Sequence, residues 1–162
     1  MILYIVRHGD ADTPAASDDE RELSKKGRKV TAAMGELLKD AEFEVPELIL
    51  ASPLPRAQQT ATILREKFAP NAVLETSEVL QPSSSLDAAM SVLASKHGAH
   101  DAMMIVGHDP LFSRLASAII TGSSDVVIEM KKSSVVVVEL YRFDVPRLRG
   151  ALRAYLPPQI VF

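Results

Sequence analysis

Three short apolar runs, each followed at once by residues able to do chemistry, constrain this chain more than any other feature. Residues 2–6 read Ile-Leu-Tyr-Ile-Val and lead into Arg7-His8-Gly9. Residues 47–51 read Glu-Leu-Ile-Leu-Ala and lead into Ser52-Pro53-Leu54-Pro55-Arg56. Residues 102–106 read Ala-Met-Met-Ile-Val and lead into Gly107-His108-Asp109-Pro110. An unbroken run without polar alternation marks a strand covered on both faces, as in parallel sheets. Helical patterns follow these runs. Val30, Ala33, Met34, Leu37, Leu38 and Ala41 fall at helical spacing after a candidate cap at Ser24. Ala57, Ala61, Leu64 and Phe68 form a stripe that predicts a helix over 55–68, with Ser52 as its cap and Pro53 in its first turn. Leu86, Ala89, Met90, Leu93 and Ala94 form a third pattern, and Leu111, Leu115, Ala118 and Ile119 a fourth.

Strands alternating with helices predict an α/β fold, a three-layer α/β/α sandwich around a mainly parallel central sheet. Residues 72–75 predict a further short strand. Residues 126–128 and 134–140 read as late strands joined by a turn at Lys131-Lys132-Ser133, and with no helix between them they predict an antiparallel edge. Residues 13–24, with Pro14 and an acidic run at 18–22, read as a surface loop, and 81–85 as a second. The Pro-interrupted tail, 155–162, is expected to pack back. A length of 162 residues suits one domain over 1–162.

Composition narrows the partners. A net charge of -3 argues against a nucleic-acid binder, which carries a basic face. With no Cys, thiol catalysis, disulfides and Cys-based zinc sites are excluded. No stretch approaches a membrane span, and the first apolar run is too short for a signal peptide. A cytoplasmic protein with no membrane partner is expected. Oligomeric state is not legible.

In an open parallel sheet, ligands bind where the carboxyl ends of the strands meet. Arg7, His8, Arg56 and His108 should therefore converge in one crevice. Arg offers a fork of donors matched to phosphate oxygens. A neutral imidazole nitrogen can attack phosphorus and form a covalent phosphohistidine. Gly9 would let the backbone turn and approach the ligand, and the helix start near Pro53 adds a positive dipole end. This chemistry calls for no metal and no cofactor.

Arg7-His8-Gly9 after an N-terminal strand, the segment Ser52-Pro-Leu-Pro-Arg56-Ala-Gln-Gln-Thr60, and Gly107-His108 together resemble the three motifs of the histidine phosphatase superfamily, which includes the phosphoglycerate mutases. Arg7-His8-Gly9-Asp10-Ala11, Asp18-Asp-Glu-Arg21-Glu-Leu23-Ser24-Lys-Lys-Gly27 and Gly107-His108-Asp-Pro110 resemble its SixA-type phosphohistidine phosphatases. The resemblance implies a phosphoglycerate mutase-like fold. It makes His8 the nucleophile, Arg7 and Arg56 the phosphoryl ligands, and His108 a cation completing the pocket. Arg21 would reach the phosphate or the substrate, and Thr60 would support Arg56. Two carboxylates compete for the role of general acid: Asp109, whose other reading is a helix cap, and Glu78.

The implied substrate is a protein phosphohistidine, because the short chain leaves no room for a lid over a small metabolite. Two alternatives stand beside it. One is a small phosphate ester handled by a phosphomonoesterase or mutase. The other is a non-catalytic, phosphate-binding regulatory domain. Outside the site, His97 and His100 read as surface or helix-end residues, Lys131-Lys132 as a turn, and the acidic run, Arg21 apart, as a solvated loop.

Overall fold

The computed structural model describes residues 1–13, 16–145 and 147–161; Pro14 of the first loop and Phe162 of the tail lie outside them. Its sheet has six strands: β1 (Ile2–Arg7), β2 (Leu48–Ala51), β3 (Val73–Thr76), β4 (Ala102–Gly107), β5 (Val135–Arg142) and β6 (Arg149–Leu156). They lie in the order β3-β2-β4-β1-β5-β6. β1 and β2 flank β4 and both run parallel to it, β3 runs parallel to β2, and β5 and β6 form the antiparallel edge.

Alternation within the apolar strands builds two cores. Leu3, Ile5, Leu50, Met103 and Ile105 face α3 (Leu86–Ser95) and α4 (Leu111–Thr121). Tyr4, Val6, Ile49, Met104 and Val106 face α1 (Lys25–Asp40) and α2 (Pro55–Lys67). This double covering explains why the strands carry no polar alternation. Ser24 caps α1 as expected, its Oγ accepting the Gly27 N–H at 2.9 Å.

Three expectations need correction. Residues 126–128 are not a strand; the hydroxyl oxygen of Ser117 accepts the N–H groups of Val127 and Ile128 at 3.0 and 3.1 Å, which occupies the donors a strand would need. The edge is completed by β6 instead, whose Gly150, Ala151 and Arg153 hide its strand pattern. The 131–133 turn exists, with Ser134 N–H reaching Lys131 O at 3.0 Å, but it opens β5 rather than joining two strands. α2 begins at Pro55 with Leu54 at its cap, because the Ser52 hydroxyl serves His108. The tail does pack back as expected, through a short turn at Pro158–Val161 against α1, while Tyr155 and Leu156 belong to β6.

Candidate active site

The candidate site side chains come from the carboxyl ends of strands and, for Arg56, from the helix that follows β2. His8 follows β1, and its N–H donates to Gly107 O at 2.9 Å, tying it to the end of β4. Ser52 follows β2 and donates its N–H to Val106 O at 2.9 Å. The turn before β5 closes the fourth side, where the Ser133 N–H is shared by the carbonyls of Arg7 and His8, each at 3.1 Å. The His8 and His108 rings stand 5.0 Å apart between centroids. Arg56, 3% exposed, comes from the first turn of α2.

Gly9 is required for a reason the sequence did not suggest. Its backbone is not left-handed; a Cβ there would lie 2.8 Å from Thr31 Oγ1 and 2.9 Å from Leu23 Cδ2. Gly27 works from the other side, since its Cβ would fall 2.1 Å from Asp10 O. The two glycines let α1 press directly onto the loop after β1.

A hydrogen bond prescribes the tautomer of His8. His8 Nδ1 lies 2.7 Å from Gly9 O, and a carbonyl only accepts, so Nδ1 carries the proton and Nε2 keeps its lone pair. Burial, reinforced by the charges of Arg56, Arg7 and Lys132, pushes the His8 pKa down to about 4, although the Gly9 hydrogen bond works the other way. His8 is therefore neutral at neutral pH, the state a nucleophile requires. His108 Nε2 lies 2.8 Å from Ser52 Oγ, which also accepts the Leu54 N–H at 3.4 Å. This bond fits either ring tautomer of His108; we assign the Ser52 hydroxyl as donor to Nε2, which makes His108 Nδ1 a donor. Burial first, then the His8 neighbour and the arginines, hold His108 down at about 3. The cation expected at His108 is thus absent from the free protein, and a bound dianion would have to supply the charge that favours it.

Three donors in this pocket have no hydrogen-bond partner although buried: Arg7 Nε, Arg56 Nε and His108 Nδ1. The remaining contacts of the arginines hold them in place. Arg7 Nη1 donates to Met130 O at 2.6 Å and lies 3.6 Å from Asp109 Oδ2. Arg56 Nη1 donates to Asp18 O at 2.7 Å, and its Nη2 to Asp18 Oδ2 at 3.1 Å. Buried N–H groups on two guanidiniums and an imidazole, beside an unprotonated Nε2, form a receptor for an anion poised for attack at its centre.

Asp18 is the site residue that sequence reasoning missed. It reads as one carboxylate of a solvated acidic run, yet it bridges Arg56 and Arg21, with Arg21 Nη1 2.9 Å from Oδ1. Those two arginines hold its carboxyl below the usual range. Arg21 also donates to the carbonyls of Asp12 and Ala11, both at 3.0 Å, so it staples the loop that carries Asp18. Two sequence signals were present, the arginine three residues on and the place of Asp18 at the head of the segment that resembles the SixA type. Asp109 Oδ1 accepts both the N–H and the hydroxyl of Ser113, at 3.1 and 2.7 Å, which is the capping role. Glu78 is exposed, its carboxylate bonded by the side chain of Gln81, and forms no bond with the catalytic side chains among the described residues. His97 stacks on Phe143 and His100 pairs with Glu47, both away from the pocket.

Thr60 supports the site as expected. It is fully buried, donates to Arg56 O at 2.7 Å and accepts the Gly9 N–H at 3.0 Å, joining the first motif to the second. Thr60→Val keeps the shape but strands the buried Gly9 N–H. A loss of about 1–3 kcal/mol in denaturant unfolding is expected.

The family model for the histidine phosphatase superfamily (branch 1) matches residues 3–82. An uncharacterised protein of Picosynechococcus sp. is 35% identical over 140 residues, covering 84% of this chain and 83% of that protein. Phosphohistidine phosphatase SixA of Escherichia coli K12 is 43% identical over 60 residues, 37% of each chain. The chain belongs to the histidine phosphatase superfamily. A solved structure of the protein histidine phosphatase SixA complexed with tungstate superposes with a TM-score of 0.88 over the whole of both chains, at 25% identity. The same fold is found in a mycobacterial glucosyl-3-phosphoglycerate phosphatase, with TM-score 0.72 at 19% identity over 96% of this chain and 99% of that one. Membership and the SixA likeness make this protein a phosphatase. No helix among the described residues is long and apolar enough to cross a membrane.

The histidine pKa values carry a stability consequence with a definite sign. Between about pH 6.5 and 4 the unfolded chain protonates both imidazoles while the folded chain does not, so stability must fall as pH falls. In a phosphate-free buffer the melting temperature is expected to drop across that window. His8→Asn should flatten the drop, because one of the two buried imidazoles is gone.

Proposed function

We propose that this phosphatase removes the phosphoryl group from phosphohistidine on a partner protein, through a covalent phosphohistidine on His8. The observation that carries the reading is the unprotonated His8 Nε2 set beside three buried, unpartnered donors on Arg7, Arg56 and His108. In the first transfer the Nε2 lone pair attacks phosphorus in line, and the bond to the leaving nitrogen breaks with its electron pair. A substrate ring protonated on its other nitrogen departs as neutral imidazole. In the second transfer water attacks the phosphoryl group on His8, the Nε2–P bond breaks, and its electron pair returns to Nε2. The proton of the water goes to the released phosphate. Arg7, Arg56 and His108 hold the equatorial oxygens in both steps.

The substrate assignment draws on the likeness to SixA and on the carboxylates around the pocket. Asp109 is committed to Ser113 and Glu78 to Gln81, which leaves neither an obvious proton for an alkoxide. A protonated imidazole needs none, whereas an alkyl ester does. The role falls to the cytoplasm, where such phosphoprotein signalling occurs, and needs no metal or cofactor. The test is phosphate release from a phosphohistidine-bearing protein, an aryl phosphate and an alkyl phosphate. The expected order is phosphohistidine first, aryl phosphate second and alkyl phosphate slowest. Fastest turnover of the alkyl phosphate would transfer the enzyme to the small-ester class. Tight phosphate binding with no release from any substrate would make it a regulatory binding domain.

A further inference from the structure

A second cleft, of about 390 Å³, opens beside the phosphoryl pocket and is lined by Lys26, Lys131, Lys132, Asp10, Val30 and Pro158 among others. It shares its wall with the catalytic loop. Asp10 lies two residues past His8, and Ser133, whose N–H holds the Arg7 and His8 carbonyls, also lines it. Its one carboxylate is already satisfied, because Asp10 takes Lys132 Nζ at 2.8 Å and the Ser24 hydroxyl at 2.9 Å. Lys26 and Lys131 form no salt bridge and no side-chain hydrogen bond among the described residues. The cleft therefore keeps an uncancelled positive charge in a chain whose net charge is -3.

The helix that borders the cleft carries a second sign. The first five residues of α1 include Lys25, Lys26, Arg28 and Lys29, and its first turn has no acidic residue. Cations at the positive end of a helix dipole oppose helix stability. Arg28 is offset by Glu22 at 3.7 Å, whereas Lys26 faces the cleft, and a local rule broken at such a position is expected where function chooses the residue. Here the helix terminus and the lysines reinforce one another and focus positive potential next to the scissile phosphoryl group.

Building on the phosphatase reading above, we propose that this cleft is a docking subsite for carboxylate side chains that flank the phosphorylated residue on an acidic partner protein. The phosphoryl group itself is handled by arginine forks. Flexible ammonium groups at a rim suit carboxylates whose position varies from one partner to another. Val30 and Pro158 give an apolar floor for the methylene stem of a glutamate. The subsite thus selects substrates by what lies beside the phosphoryl group, and Lys26 and Lys131 are its specificity residues.

The experiment uses two peptides carrying one phosphohistidine, flanked by Glu in one and by Gln in the other, with phosphoramidate as a small control. Wild type is expected to prefer the Glu peptide in kcat/KM by roughly tenfold at low salt, with the preference fading near about 0.5 M salt. Lys26→Gln/Lys131→Gln should abolish the preference and leave phosphoramidate turnover unchanged. In parallel, fluorescence anisotropy of the unphosphorylated Glu peptide on His8→Asn protein should show binding that the double substitution weakens. Equal turnover of the two peptides by wild type, or a preference that survives the double substitution, overturns the proposal. So does competition through Lys26 and Lys131 by a small bisphosphate but not by the Glu peptide. If no substrate is turned over, the phosphatase reading fails alone, and the anisotropy measurement still decides the subsite.

Discussion

Replacing His8 with asparagine is expected to lower kcat by at least about 10⁴-fold, the scale on which loss of a nucleophile is felt when the rest of the machinery remains. Asparagine is close in size and can still donate to Gly9 O, so the bond that orients His8 has a substitute. What disappears is the lone pair on Nε2. Phosphate binding should survive, because Arg7, Arg56 and His108 remain. Single-turnover labelling should show an acid-labile phosphoenzyme in wild type and none in His8→Asn. Residual turnover above about 1% of wild type would mean that water attacks the substrate directly and that His8 only lines the pocket.

Substituting Arg56 should be the next most severe change. Arg56→Gln removes a buried cation aimed at the charge that develops in transfer, and a loss of about 10²–10³-fold in kcat/KM is expected. Arg56→Lys keeps the charge but not the fork. Its three donors sit on one nitrogen, so it cannot reach both Asp18 and the phosphoryl oxygens with the spread of the guanidinium, and a loss of about 10–10²-fold is expected, with KM rising. The graded pair separates charge from geometry. Equal rates for the lysine and glutamine variants would show that orientation, rather than charge, is what Arg56 supplies. Neither change should disturb the fold greatly, since the Asp18 carboxylate left behind is mostly exposed.

Much of this site was legible in the sequence because parallel strands translate linear position into spatial position. Arg7-His8, Arg56 and His108 each follow an apolar run, and strands in one parallel sheet must end on one edge. The same logic could not find Asp18, which reaches Arg56 from a polar loop with no periodicity to fix its direction. Nor could it find Ser52 as the partner of His108, because a serine before a proline fits a helix cap equally well. The fold was readable where burial on two faces imposes an unbroken apolar pattern, at β1, β2 and β4. The antiparallel edge and its strand over 134–140 were also readable, but the second edge strand was misplaced. There β6 alternates small and charged residues on a partly exposed face, while 126–128 has β-branched residues without a strand to pair with. Tertiary pairing decides such segments, and it leaves little trace in local sequence.

The strand order has a consequence for synthesis on the ribosome. β1 emerges first, yet both of its neighbours, β4 and β5, are made after residue 100. The nascent chain must hold a fully apolar strand open while 100 residues are added, which at cellular elongation rates takes about 5–20 s. β2 and β3 can pair in that interval, but β1 and β2 never touch except through β4. His8 is thus set into its pocket only after β4 and β5 have been made, and until then the nascent chain offers the cell an exposed sticky strand rather than a stray phosphatase.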